Sequence, residues 1–291
     1  MIVGGSGTMA RFVEPIILDF QRAQPGVSGR FTNTGSGSVP EDLGAGYNIG
    51  LMSRQMTDAE KRRVEGRTGV KPTELVVAHD AILVLVNETN PLPGITIGEL
   101  EAIYGTERRH GFEGDVMTWG DLGVTGPLAG ETIVPWGILS EGHGTVESFR
   151  QLALANGPLN RDINAWRHPQ TEFGSTVARN PSAVSYNMYH PIVSGSRALP
   201  VARQRGGPFV AADDETIADG SYPLTRPLYV YLHLDPADPD AVTLQFGRYL
   251  LSREGQVLVR PHAAVPISGE MAQTQMRILD EAANQPVRIA R

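Results

Sequence analysis

The N-terminal third of the chain alternates short apolar runs with longer amphipathic segments. Apolar residues recur every three or four positions between Met9 and Ala23, which predicts a helix with one buried face. Strands are predicted before and after this helix, at 2–3, 27–33 and 47–52, with a short helix at 40–43 and another that begins near Thr57. This alternation predicts a mainly parallel sheet that binds ligands where the carboxyl ends of its strands meet.

The middle and the end of the chain predict a second lobe and a return to the first. The β-rich run 74–87 exceeds an ordinary strand, and the polar pair at its centre, His79-Asp80, predicts that one strand ends there and another begins. Prolines in the strand-like segment 222–232 exclude it from a central ladder and favour the return crossing. The other predicted elements are helices at 96–104, 237–252 and 269–283 and strands at 132–138, 183–189 and 198–202.

These elements predict an α/β protein with two lobes, residues 1–79 with 229–291 and residues 80–228. Each lobe is predicted to be a mainly parallel sheet flanked by helices, and two hinge crossings are predicted to join the lobes beside a ligand-binding cleft.

Composition limits the classes of function. The chain has 291 residues with 41% hydrophobic and 20% charged residues, as in ordinary globular proteins. A net charge of −7 with dispersed acidic residues argues against a nucleic-acid partner. The absence of cysteine excludes disulfides and thiolate metal sites, and the histidines lack metal-ligand spacing, so no metal or cofactor is expected. No apolar run is long enough to span a bilayer, and the first residues lack the features of a signal peptide.

Three glycine-rich loops each precede a helix-like segment. Their sequences are Gly5-Ser6-Gly7-Thr8, Gly35-Ser36-Gly37-Ser38 and Gly142-His143-Gly144-Thr145. Helix N-termini expose backbone N–H groups and carry partial positive charge, and glycines let an anion come close to them. The loops therefore predict a site for a small oxyanion, although each hydroxyl residue singly is also consistent with a plain helix cap.

Enzymatic alternatives find little support. Lysine occurs only at Lys61 and Lys71, and neither follows a glycine-rich loop, which excludes a P-loop nucleotide site. No Gly-x-Ser-x-Gly elbow occurs, and no serine, histidine and acid stand in an evident triad order. An enzyme acting on a phosphorylated substrate stays open as a weaker alternative.

In the order of its motifs, the chain resembles the phosphate-binding substrate-capture proteins of ABC importers, within the two-lobed (type II) periplasmic binding proteins. The motifs are the three glycine loops, 49–54 (Ile-Gly-Leu-Met-Ser-Arg), the turn 118–123 and 222–229 (Tyr-Pro-Leu-Thr-Arg-Pro-Leu-Tyr). The resemblance implies an exported, non-enzymatic, monomeric protein that traps phosphate between its lobes and delivers it to the permease subunits of a membrane transporter. An exported protein is periplasmic or extracellular, and its signal peptide is absent from this sequence.

The chain departs from the family pattern in both lobes. Leu139 stands where family members carry an arginine, His143 replaces a loop serine, and Ser53-Arg54 stands where the best-known members place an aspartate. Phosphate, sulfate, molybdate and organic phosphates therefore stay open as ligands, and so does a role as a sensor.

The predicted ligand-binding residues come from both lobes. We expect Arg54 to supply the positive charge that Leu139 cannot, with Glu141 orienting it, because a guanidinium binds oxyanions through two parallel N–H groups. The His143 ring either donates to the anion or points to solvent. The full predicted set is Ser6, Gly7, Thr8, Met9, Ser36, Ser38, Ser53, Arg54, Ser140, Glu141, His143, Gly144 and Thr145.

Overall fold

The chain divides into two units in a computed structural model, which describes residues 1–139, 144–160, 162–165, 174–189, 192–234, 238, 241–262 and 264–284. One unit is Met1–Asp80 with Arg226–Arg291, and the other is Ala81–Thr225. The chain passes from one unit to the other inside two strands, Thr73–Asn87 and Thr225–Leu232. The predicted lobe boundaries, at 79/80 and 228/229, lie within these same strands.

The first unit contains both ends of the chain. Its strands are β1 (Ile2–Gly5), β2 (Arg30–Asn33), β3 (Ile49–Met52), the first half of β4 (Thr73–Asn87), β11 (Thr225–Leu232) and β12 (Val265–Pro266). Its helices are α1 (Gly7–Ala23), α2 (Val39–Asp42), α3 (Asp58–Thr68), α8 (Val242–Leu251), α9 (Arg253–Val257) and α10 (Gly269–Ala283). The helix predicted at 269–283 is confirmed. The helix predicted at 237–252 corresponds to α8, and part of its predicted first turn lies outside the described residues.

The sheet of the first unit is mixed. Strand β1 pairs in parallel with β2 on one side and β3 on the other, with Gly4 opposite Thr32 and Gly50. Strand β11 runs antiparallel to β3, and β12 runs antiparallel to β4. The three parallel strands thus end at one edge, where the first two glycine loops begin. The α/β class is confirmed, and antiparallel strands join the parallel ones.

Helix α1 forms because its apolar stripe packs against this sheet. Met9, Phe12 and Ile16 are fully buried in a core with residues of β1, β3 and β11, and Phe20 packs edge-on against Phe246 of α8 at 5.4 Å between ring centroids. Burial of such side chains contributes about 1.5–3 kcal/mol each. The core therefore fixes the N-terminus of α1 at the carboxyl edge of the sheet.

Two strand predictions are wrong. The run 73–87 is one continuous strand of 15 residues, because the buried polar residue Asp80 has charged partners and does not interrupt it. Strand β11 lies inside the ladder, between β3 and β4, because Pro227 precedes the residues that pair with β3, Tyr229–Leu232. Proline is tolerated in a strand at a position where the ladder needs no hydrogen bond from its nitrogen.

The second unit has a smaller, mixed sheet. It contains the second half of β4, β5 (Ile95–Thr96), β6 (Val134–Gly137), β7 (Asn164–Ala165), β8 (Ala183–Met188), β9 (Ser196–Ala198), β10 (Val201–Ala202) and the helices α4 (Ile97–Tyr104), α5 (Gly144–Ala153), α6 (Ser175–Arg179) and α7 (Asp214–Ala218). Strand β6 pairs in parallel with β7 and β8, and β4 pairs antiparallel with β8 and β9. The strand predicted at 198–202 is two short strands, since Pro200 separates them.

Aromatic packing holds helix α5 on this sheet. Phe149 of α5 stacks on Tyr186 of β8 with ring centroids 3.9 Å apart, and Tyr104 of α4 meets both rings edge-on. All three residues are fully buried. The cluster fixes the orientation of α5, whose first residues, Gly144 and Thr145, are the end of the third glycine loop.

Candidate functional site

The first two glycine loops meet at the carboxyl edge of the first unit's sheet. The Thr34 and Gly35 N–H groups both donate to the Gly5 carbonyl, at 3.1 and 2.9 Å, and the Ser6 N–H donates to the Leu51 carbonyl at 2.8 Å. Gly5 has a φ of +128°, and a Cβ at this position would lie 2.2 Å from the Leu51 oxygen. Only glycine allows the first loop to leave β1 this close to β3.

Ser6 occupies the N-cap position of α1 without capping it. The residue is only 4% exposed, and its side chain forms no cap hydrogen bond. Gly7 and the half-buried Thr8 form the first turn of the helix, where backbone N–H groups lack intrahelical acceptors. The Met9 side chain lies in the hydrophobic core and its N–H donates to the Ser6 carbonyl, so Met9 offers an anion no side-chain group.

Two serines from different loops form a hydroxyl pair. The Ser36 Oγ lies 3.3 Å from the Ser53 Oγ and accepts from the Ser53 N–H at 3.1 Å. Ser38 belongs to the same loop, but its hydroxyl lies 2.6 Å from Thr34 Oγ1, to which it donates. The pair Ser36–Ser53 therefore brings together residues from the loops that follow two separate strands, β2 and β3, whereas Ser38 is bonded within its own loop.

Arg54 binds a carboxylate of its own unit. Its two terminal nitrogens donate to the two Glu60 oxygens at 2.9 and 2.8 Å. These hydrogen bonds, with a smaller contribution from Thr57, lower the pKa of Glu60 from 4.5 to about 2. Glu141, the expected partner of Arg54, lies outside the described residues. An anion that contacted these two nitrogens would share them with the Glu60 carboxylate.

The structure reveals a buried charged cluster that the sequence analysis missed. Asp80, which is 2% exposed, forms ion pairs with Arg226 at 3.0 Å and with Arg11 of α1 at 3.5 Å. Arg226 Nη1 also donates to the Ser53 carbonyl at 3.2 Å, which joins the cluster to the serine pair. The sequence contained one indication of this cluster, which is the position of Asp80 inside a long apolar strand. A charged residue at such a position needs a buried partner.

The third glycine loop is described only at its end. Ser140, Glu141 and His143 lie outside the described residues. Gly144 is the first residue of α5, and the Thr145 side chain is buried in its first turn. Their predicted contacts with an anion stay predictions.

The described second unit also contains a cavity, which differs in character from the carboxyl edge. A cavity of about 270 Å³ in the second unit has Glu99 as the only charged residue in its lining, so it supplies no cation. Within the described residues no cluster of three or more histidine and acidic side chains is placed to hold a metal ion. No described helix is both long and apolar enough to cross a membrane.

Comparison with known sequences gives consistent matches over most of the chain. A family model described as "PBP superfamily domain" matches residues 1–254. The chain is 31% identical over 277 residues to the phosphate-binding protein PstS of Pseudomonas aeruginosa. This match covers 94% of the present chain and 85% of the Pseudomonas protein. The chain is 25% identical to the protein of the same name in Staphylococcus epidermidis, over 87% of this chain and 74% of that one.

Solved structures show the same fold. A possible phosphate-binding protein from Planctomyces limnophilus matches with a TM-score of 0.75 and 22% identity, over 97% of this chain and 98% of that one. An ABC-type phosphate transport receptor from Vibrio cholerae matches with a TM-score of 0.72 and 19% identity, over 91% and 99%. Together with the family model, which spans most of the chain, these matches show that the chain belongs to the PBP superfamily.

Proposed function

We propose that the protein binds inorganic phosphate, or a closely related tetrahedral oxyanion, and delivers it to an ABC-type membrane permease. The observation that carries the proposal is the 31% identity, over 94% of the chain, to a protein named phosphate-binding protein PstS. We propose the carboxyl edge of β1, β2 and β3 as the part of the site that the first unit supplies.

The chemistry of this edge suits an anion. The first turn of α1 offers backbone N–H groups and the positive end of a helix of 17 residues. Ser6, Ser36 and Ser53 add three hydroxyl groups within the same set of loops. Such donors bind an oxyanion without requiring a metal or a nucleophile.

The proposal extends to the properties that a capture protein has. We infer that the protein has no catalytic activity, acts as an exported monomer, and meets its permease at a membrane. Ser140, Glu141, His143, Gly144 and Thr145 stay predicted ligands from the second unit. An assay with generic phosphoesters tests the enzymatic alternative, and turnover above background would refute the inference that the protein is not an enzyme.

Two serines at helix N-caps provide a matched test of the site. Ser6 does not cap α1, whereas Ser268 caps α10 by accepting from the Met271 N–H at 3.1 Å. Both are changed to alanine, and phosphate binding is measured by calorimetry together with the melting temperature without ligand. Sulfate, molybdate and a phosphomonoester are titrated in parallel to identify the preferred anion.

The two variants should behave in opposite ways. Ser6→Ala should weaken phosphate binding by about tenfold, because one hydrogen bond to a charged ligand is lost, and should change stability little. Ser268→Ala should leave affinity unchanged and cost about 1 kcal/mol of stability, because a helix cap is lost. Unchanged affinity in Ser6→Ala would remove Ser6 from the site, and no binding of any oxyanion by the wild type would refute the proposed function.

A further inference from the structure

Two arginines lie next to the serine loops of the carboxyl edge, and Arg54 is the one that follows Ser53 directly in the sequence. Its guanidinium holds the Glu60 carboxylate through both terminal nitrogens. Because the pKa of Glu60 is lowered to about 2, the carboxylate stays charged and paired at neutral pH. An anion that used the terminal nitrogens of Arg54 would share them with this carboxylate.

Arg226 differs from Arg54 in burial and in what its nitrogens bind. The residue is 6% exposed, and its terminal nitrogens donate to the Ser53 carbonyl and to Asp80. Its Nε is buried and has no hydrogen-bond partner among the described residues. A buried N–H on a charged group is destabilising when it has no acceptor, so we expect an acceptor for this nitrogen from outside the described residues.

The position of Arg226 connects that nitrogen to the serine loops. Ser53 contacts both groups: its carbonyl accepts from Arg226, and its N–H donates to the Ser36 Oγ. Asp80 accepts from the other terminal nitrogen of Arg226 and also pairs with Arg11, which lies one turn into α1 from the Ser6 loop. The guanidinium is therefore fixed next to the residues that line the proposed anion site.

We propose that Arg226 is a cationic ligand in the first unit and that its Nε–H donates to an oxygen of the bound anion. The inference rests on the proposed function, since it names a ligand in the same site. The chemistry that it recognises is an anionic oxygen, and a guanidinium held in place by a carboxylate and a carbonyl loses little freedom when it binds one.

The test uses three variants of the full chain. Arg226→Gln removes the charge, Arg226→Lys keeps a charge but removes the Nε–H, and Arg248→Gln is the control. Arg248 is about half exposed and forms a surface ion pair with Asp280 at 3.0 Å in the same unit. Phosphate affinity is measured by calorimetry, and folding is checked by circular dichroism and by the melting temperature without ligand.

We expect Arg226→Gln to weaken phosphate binding by about 10- to 100-fold, Arg226→Lys to weaken it less, and Arg248→Gln to leave it unchanged. A folded Arg226→Gln variant that binds phosphate within about twofold of the wild type overturns the inference. If Arg226→Gln does not fold, the phosphate affinity of Arg226→Lys tests the proposal. Wild-type affinity in that variant overturns the inference that the Nε–H contacts the anion.

The result also separates this inference from the proposed function. A wild-type protein that binds phosphate while the Arg226 variants bind it equally well refutes the role of Arg226 alone. If the wild type prefers another tetrahedral oxyanion, the same variants are measured with that anion. If the wild type binds none of these oxyanions, both the proposed function and the role of Arg226 are overturned.

Discussion

The pair Arg54–Glu60 should stabilise the first unit in a pH-dependent way. Glu60 stands at the third position of α3 and completes a capping box with Thr57, while its carboxylate also accepts both terminal nitrogens of Arg54. Glu60→Gln tests the pair alone, because glutamine supports a capping box but cannot accept a guanidinium through two oxygens. The perturbation thus removes the ion pair and leaves the helix cap.

The magnitude follows from the pKa of Glu60. A lowering from 4.5 to about 2 corresponds to at most about 3–4 kcal/mol of folding free energy. The Arg54 side chain is 36% exposed, so solvent screens the pair, and Thr57 accounts for part of the lowering. We therefore expect Glu60→Gln to cost about 1–2 kcal/mol at pH 7.

The direction of the pH dependence is fixed by the sign of the pKa change. The folded protein holds the proton of Glu60 less tightly than the unfolded chain, so the stabilisation is complete above pH 4.5 and is lost as the pH falls towards about 2. Urea unfolding at pH 7 and pH 3, followed by far-UV circular dichroism, should show the difference between wild type and Glu60→Gln shrinking at the lower pH.

The control is a surface pair in the same unit. Arg63 and Glu41 form an ion pair in which both side chains are more than half exposed, so Glu41→Gln should cost less than about 0.5 kcal/mol. Equal effects of the two substitutions at pH 7, or a Glu60→Gln effect that is undiminished at pH 3, would refute the assignment of the stability to the Arg54 pair.

Two further variants address the two units separately. All three tryptophans fall within residues 81–225, so tryptophan fluorescence reports on the second unit. Gly5→Ala should destabilise the first unit by at least about 2 kcal/mol, owing to its positive φ and the contact with the Leu51 oxygen, and should shift the circular-dichroism transition. Phe149→Ala should cost about 3–5 kcal/mol by removing the ring that stacks on Tyr186, and should shift the tryptophan-fluorescence transition. Coincident transitions in both variants would contradict independent effects on the two units.

Local patterns were sufficient for much of the fold. The apolar stripe of α1 and the boundaries of α10 are visible in the sequence because a helix buries residues three and four positions apart. The βαβ order likewise indicates that the first two glycine loops meet at one edge, since parallel strands share the direction of their carboxyl ends. Local patterns failed at β4 and β11, where tertiary partners allow a charged residue and a proline inside the sheet.

The sequence by itself determined the α/β class, the family resemblance and the serines at the sheet edge. Only the tertiary structure placed Arg226 beside them as well. Asp80 and Arg226 are 146 residues apart, and their contact depends on how β4 and β11 are placed in one sheet. Hydrophobic periodicity records which face of an element is buried, whereas an ion pair between distant strands depends on how those strands pack together, which no local pattern encodes.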